Sequence, residues 1–220
     1  MLLRLRQRRA PRVYINSNSS NDLEEYYLTS IDSHWAAHDL TKIGGAATLA
    51  PLATPSALYH SGYTSVYYAD ANADLWETYL TAIGDSWASQ DLTTKYKTEG
   101  VTIVFDNKST GEAEPLPGHV SAVYHSGYVD IFSTDLTGQV HDAFLPAISD
   151  GWQNQNLTTN ATPNIGTTNA VFPLTSLVHY DAKGGLTWTS LYSINVPSGT
   201  LQETYLQKIG DDWVSQAIPS

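Results

Sequence analysis

The chain has 220 residues and is strongly acidic overall, with a formal net charge of −11, and it contains no cysteine. All five arginines lie in the first twelve residues, and beyond them six lysines face 22 acidic residues, so the body is set against phosphate-rich nucleic acid as a partner. Disulfides and thiolate metal sites are excluded, and no run of 18 apolar residues is present to insert into a membrane as a helix. Length permits one or two domains with a substantial core.

In chain order, residues 1–11 read as a solvated basic tail, and their leucines do not reach the length of a secretory signal core. No targeting signal assigns a compartment; the reading is a soluble protein, cytoplasmic or secreted. The first patterned block then runs Arg12-Val-Tyr-Ile15, a turn at Asn18-Ser-Ser-Asn21, Leu23-Glu-Glu-Tyr-Tyr27, Trp35 and Asp39-Leu-Thr41. The second adds an opening phrase, Ser56-Ala-Leu-Tyr-His-Ser-Gly-Tyr63, before Ser65-Val-Tyr-Tyr68, Leu75-Trp-Glu-Thr-Tyr79, Trp87 and Asp91-Leu-Thr93. The third repeats the opening phrase at 121–128 and continues through Asp130-Ile-Phe-Ser133, Val140-His-Asp-Ala-Phe144, Trp152 and Asn156-Leu-Thr158. The fourth runs Ser176-Leu-Val-His179, Ser190-Leu-Tyr-Ser193, Leu201-Gln-Glu-Thr-Tyr205, Trp213 and a looser Gln216-Ala-Ile218.

In every block a carboxylate precedes a tryptophan by ten residues: Glu25/Trp35, Glu77/Trp87, Asp142/Trp152 and Glu203/Trp213. Four copies of one offset mark a structural repeat. The runs are short, β-branched and aromatic, bounded by Gly, Asn, Asp, Ser or Pro, and alternate with period two. The chain is therefore all-β, a β-propeller-like repeat with about four blades of antiparallel strands. The blades fall at 12–50, 51–98, 99–160 and 170–220 within a domain covering 12–220, each closing with a tryptophan and a short polar strand. An added strand at Val101-Thr-Ile-Val-Phe105 and loops at 107–118 and 160–173 account for the longer spacings. The first block lacks an opening strand. Three architectures follow from this: a loosely closed ring, an open arc completed by a second copy, or a piece of a larger propeller. An incomplete ring is favoured, with a homo-oligomer completing it.

The repeated acid and tryptophan suit interface packing between repeats. They also suit a sugar pocket, in which the acid accepts hydroxyl hydrogen bonds and an aromatic face covers C–H surface. Tyr27, Tyr79, Phe144 and Tyr205, two residues after each acid, fit either role. His60, His125 and His179 occupy equivalent positions in separate blades, so they do not converge on a metal. No cofactor is implied. Glu24 and Glu25 point to opposite faces of a strand, and the other acids recur blade by blade rather than as one asymmetric pair, which argues against glycoside hydrolysis. Asn18, Asn107, Asn156 and Asn160 head Asn-x-Ser/Thr sequons.

The order Arg-Val-Tyr, turn, Leu-x-Glu-x-Tyr, Trp resembles a blade of the fucose-binding lectins of the Aleuria aurantia type, over residues 12–220. The resemblance implies a propeller with fucose between blades, held by an arginine and a glutamate and covered by aromatic residues, without catalysis. The arginine position falls on Arg12, Ser65, Asp130 and Ser190, and the glutamate position on Glu25, Glu77, Asp142 and Glu203. Only the first block keeps both. The expected binding residues are Arg12, Glu25, Tyr27, Trp35, Glu77, Tyr79, Trp87, Asp142, Trp152, Glu203, Tyr205 and Trp213, and the strongest site joins Arg12, Glu25 and Trp35 to Tyr79 or Trp87 of the next blade. Glycans are the expected partner. The alternative is a propeller without sugar sites that serves as a protein-interaction or structural module.

Overall fold

The computed structural model describes residues 11–17, 19–28, 34–51, 53–60, 62–72, 74–82, 85–97, 119–135, 138–146, 151–163, 167, 174–180, 185–195, 198–208 and 211–219. The basic tail up to residue 10, the expected strand at 101–105, the loop at 107–118 and the sequons at Asn18 and Asn107 lie outside these residues.

Four antiparallel sheets follow one another along the chain, each a meander in sequence order. The first is β1 (Arg12–Asn16), β2 (Leu23–Leu28) and β3 (Trp35–Asp39). The second is β4 (Ser56–His60), β5 (Tyr63–Ala69), β6 (Leu75–Leu80) and β7 (Ala88–Asp91). The third is β8 (Val120–His125), β9 (Tyr128–Thr134), β10 (Val140–Leu145) and β11 (Gln153–Asn156). The fourth is β12 (Thr175–Tyr180), β13 (Leu186–Ile194), β14 (Leu201–Leu206) and β15 (Val214–Ala217). Among the described residues the first sheet has three strands, so β1 lacks the neighbour that β4, β8 and β12 supply elsewhere. The repeated His-Ser-Gly-Tyr phrase is explained by its hairpin. Ser126 and Gly127 take φ of 49° and 95°, and Gly62 takes 96°. Positive φ at both central residues is what a two-residue turn matching the twist of its strands requires.

The Asp-Leu-Thr phrase is not wholly strand, contrary to expectation. Its first residue ends a strand, and a helical turn begins at the leucine: α1 (Leu40–Gly44), α2 (Leu92–Lys97) and α3 (Leu157–Asn160). The reason is local. The Asp39, Asp91 and Asn156 side chains accept from the backbone N–H three residues on, at 3.0, 2.9 and 3.3 Å, as helix N-caps do. The leucine is fully buried, and the threonine Oγ1 accepts the N–H of Leu23, Leu75 or Val140 at 2.8 Å in each case. One tripeptide thus caps a turn, fills the core and fastens the third strand of its sheet, or the second where the sheet has three.

Consecutive sheets pack face on face. Register puts Glu77 opposite Tyr67 and Gln90, while Thr78 lies opposite Val66 and Ser89. The acid-bearing face of each sheet packs on the opposite face of the next. Leu23 and Leu40 of the first sheet cluster with Val66, Tyr68, Leu80 and Trp87 of the second. Tyr67, Leu75 and Leu92 cluster with Val129, Ile131, Ala143 and Trp152 of the third. Phe132, Val140 and Leu157 meet Leu191 and Trp213 of the fourth. The first strands are tied by serines: Ala122 N donates to Ser56 Oγ and Ser176 N to Ser121 Oγ, both at 2.9 Å. Three apolar seams therefore join four sheets.

Candidate functional site

At the first seam, β1 and β2 put Arg12, Tyr14, Glu25 and Tyr27 on one face, and β3 adds His38 opposite Glu25. Glu25 is buried and pairs with the Arg12 guanidinium. Tyr14 Oη donates to Glu25 Oε1 at 3.2 Å, and His38 Nδ1 stands 3.2 Å from Oε2. Tyr27 Oη lies 3.1 Å from His38 Nε2, and the Arg12 guanidinium sits 5.9 Å above the Tyr27 ring. Burial works against the Arg12 charge, yet Glu25 and Tyr14 together outweigh it and hold the guanidinium above its ordinary pKa. Burial, then the Glu25 charge, also push the Tyr14 phenol well up, so it acts as a donor.

The tryptophans do not join the acids of their own sheets. Leu28 pairs with Trp35 and Tyr26 with Ala37, so Trp35 lies on the face away from Glu25 and stands exposed. This corrects the expected grouping of Arg12, Glu25 and Trp35. Trp87, Trp152 and Trp213 are buried and meet the preceding sheet edge-on, at Tyr14 (6.2 Å), Tyr67 (6.4 Å) and Phe132 (5.7 Å). Each acid therefore shares a seam with the tryptophan of the following sheet, as expected of Trp87 for Glu25. Tyr79, Phe144 and Tyr205 sit on the acid-bearing faces opposite Ser65, Asp130 and Ser190, as Tyr27 does opposite Arg12. The assignment of those positions as equivalents of Arg12 thus matches the register.

A partner missed from the sequence clamps each acid from thirteen residues downstream. Gln90 Nε2 donates to Glu77 Oε2; Gln155 Nε2 donates to Asp142 Oδ2 and Gln216 Nε2 to Glu203 Oε2, both at 2.8 Å; His38 takes this role at Glu25. The constant spacing was there to be read, but the first copy is a histidine and the rest are glutamines. Tyr67 and Tyr192 donate to Glu77 and Glu203 at 3.1 Å each, whereas Phe132 offers Asp142 no hydroxyl.

In the second and third sheets, where arginine is absent, a histidine of the first strand approaches the vacated position. His60 Nε2 is 3.2 Å from Ser65 Oγ. His125 Nε2 is 2.6 Å from Asp130 Oδ2, an ion-pair separation without hydrogen-bond direction. Burial pushes the His60 pKa down despite the Glu77 charge, keeping the ring neutral. Asp142 is fully buried, and burial followed by the Asp130 charge raises its carboxyl well above the usual range. At the fourth sheet Ser190 Oγ donates to Glu203 Oε1 at 2.6 Å; burial alone would raise the Glu203 carboxyl, but the donors hold it below its ordinary value. Among the described residues no group of three or more His, Asp or Glu could hold a metal ion. No described helix is long and apolar enough to cross a membrane.

Sheets stacked through recurrent aromatic and acidic seams define a β-propeller-type repeat protein, and similarity to solved structures supports that class. The chain is similar to the BP39L lectin of Burkholderia pseudomallei (TM-score 0.63, 14% identity, 94% of this chain and 51% of that one). It is also similar to the Aleuria aurantia lectin, described as a six-bladed β-propeller with a fucose recognition mode (TM-score 0.60, 14% identity, 94% and 56%). A sialidase from Streptococcus pneumoniae superposes as well (TM-score 0.51, 13% identity, 84% and 26%), so the fold is shared with an enzyme. The chain spans about half the length of the two lectins. No protein-family model and no curated protein matches the sequence.

Proposed function

We propose that the chain is a lectin that holds sugars, those of fucosylated glycans foremost, at the seams of its propeller-like domain and does not turn them over. The carrying observation is the first seam, where Arg12 and Glu25 are paired on a face that looks toward Trp87 of the next sheet. A guanidinium and a carboxylate side by side offer charge-assisted donors and acceptors to adjacent sugar hydroxyls. Tyr27 and Trp87 supply apolar ring surface for the sugar's C–H face. The fucose recognition described for the Aleuria aurantia lectin, which has the same fold, points to the sugar.

The other two seams are weaker versions of the first, Glu77 and Tyr79 with Trp152 and Asp142 with Trp213, and Glu203 with Tyr205 repeats the acid-bearing wall on the open face of the fourth sheet. A serine in place of arginine forfeits a charged donor, about 1.5–3 kcal/mol of contact. Weak pockets on a repeated array bind usefully through avidity. A second reading, a structural or protein-interaction module, is favoured by the serines and the aspartate at the arginine position and by glutamine and tyrosine donors that already occupy the acids.

Calorimetric titration with fucose, alongside a glycan array, separates the two. The unmutated chain is expected to show saturable fucose binding, and Arg12→Ala and Glu25→Gln to weaken it at least tenfold. An unmutated chain silent toward every glycan establishes the second reading, and turnover of a nitrophenyl-glycoside panel establishes an enzyme.

A further inference from the structure

The three seams repeat one interface, the acid-bearing face of a sheet against the opposite face of its successor. Among the described residues two faces of this kind are left over: the acid-bearing face of the fourth sheet and the opposite face of the first. Leu201 of β14 is 44% exposed, whereas its register equivalents Leu23, Leu75 and Val140 are each 0% exposed. Trp35 is 51% exposed, whereas Trp87, Trp152 and Trp213 are 8%, 4% and 4%. Val13 is 47% exposed, whereas Val66, Ile131 and Leu191 are 0%, 1% and 1%. Ile15 and Leu177 add exposed apolar surface to the first and fourth sheets respectively.

These side chains are not random surface apolar residues. At the register positions of Val13, Trp35 and Leu201 the chain buries its side chain three times over. From this we infer that the two open faces are the halves of a fourth, intermolecular seam: the first sheet of a second copy docks on the fourth sheet as sheets two, three and four dock on their predecessors. Trp35 of the second copy then lies against Tyr192, as Trp87 lies against Tyr14. The occupant is a second copy because each open face is one half of an interface for which this same chain supplies the other half. The interface is heterologous, so copies associate head to tail and either close into a ring or extend. If the sugar reading holds, the pocket at Glu203 and Tyr205 acquires its missing tryptophan from that copy; the association itself does not depend on sugar.

Light scattering coupled to size exclusion, across a concentration series, tests the inference on the 220-residue chain, whose single copy weighs 24.1 kDa. The unmutated chain is expected to run as a multiple of that mass. Trp35→Asp spoils one half of the interface and Leu201→Asp the other, so each variant alone is expected as a single copy. Mixed in equal amounts, they retain one intact pair of faces and are expected to form a two-copy species and nothing larger. An unmutated chain that stays single at the highest concentration overturns the inference, as do variants that leave its mass unchanged or a mixture that stays single. Circular dichroism checks folding; if either variant is unfolded, Val13→Lys or Leu177→Lys takes its place. Mass is the readout, so loss of sugar binding and loss of assembly are told apart.

Discussion

The four tryptophans occupy one motif position in two environments, and replacing each by alanine under conditions where the chain is a single copy isolates the energy of a seam. A buried tryptophan removes about 150–250 Å² from water. At about 25 cal/mol per Å² this amounts to about 4–6 kcal/mol. Compactness of the unfolded chain trims that by about 10–40%, leaving about 3–5 kcal/mol. Trp152, at 4% exposure with its ring 6.4 Å from Tyr67, is the case to which that figure applies. Trp35, at 51%, keeps about half its area in water, so Trp35→Ala is expected to cost about 2 kcal/mol or less. Urea unfolding followed by circular dichroism gives both numbers from midpoints and slopes. If the unfolding is not two-state, as repeat proteins allow, the first transition is compared instead. Equal costs for Trp35→Ala and Trp152→Ala would refute the claim that the tryptophan acts on the preceding sheet.

Two further outcomes follow from single groups. The buried Asp142 carboxyl, held well above the ordinary 3.8, keeps a proton that the unfolded chain has released. Stability is thus expected to fall as pH rises from that ordinary value through the folded value, and then to level off. Asp142→Asn, which still accepts from Gln155, should remove this slope and raise the melting temperature at neutral pH; a variant less stable at neutral pH contradicts the assignment. Thr93→Val strands the N–H of Leu75 and is expected to cost about 1–3 kcal/mol, with Thr93→Ser recovering most of it. Equal melting temperatures for the two variants would show that the hydroxyl does not fasten the strand.

The repeat made much of this legible. Period-two alternation correctly separates Glu77 and Tyr79 from Trp76 and Thr78, and the alignment of Arg12 with Ser65, Asp130 and Ser190 survives in the register. What failed did so for definite reasons. A constant offset of ten between acid and tryptophan reports equivalence, not contact, and the strand pairing of Trp35 with Leu28 turns it to the other face. Trp87, Trp152 and Trp213 precede their strands and reach back to another sheet, a relation that spacing within one block cannot encode. Asp-Leu-Thr looked like strand because it is short and polar, although its capping residue was a helix signal. The acid clamp at His38, Gln90, Gln155 and Gln216 escaped because two residue types share one geometric duty.

If sugars bind at the seams as proposed, every pocket needs a front wall from one sheet and a back wall from its successor, and pockets are counted like the gaps in a fence rather than its posts. An open row of four holds three, and only a circular row holds as many as it has members. Duplicating one unit in the middle of the row therefore adds one complete pocket, while trimming the last unit disables a pocket whose acid remains intact in the unit before it.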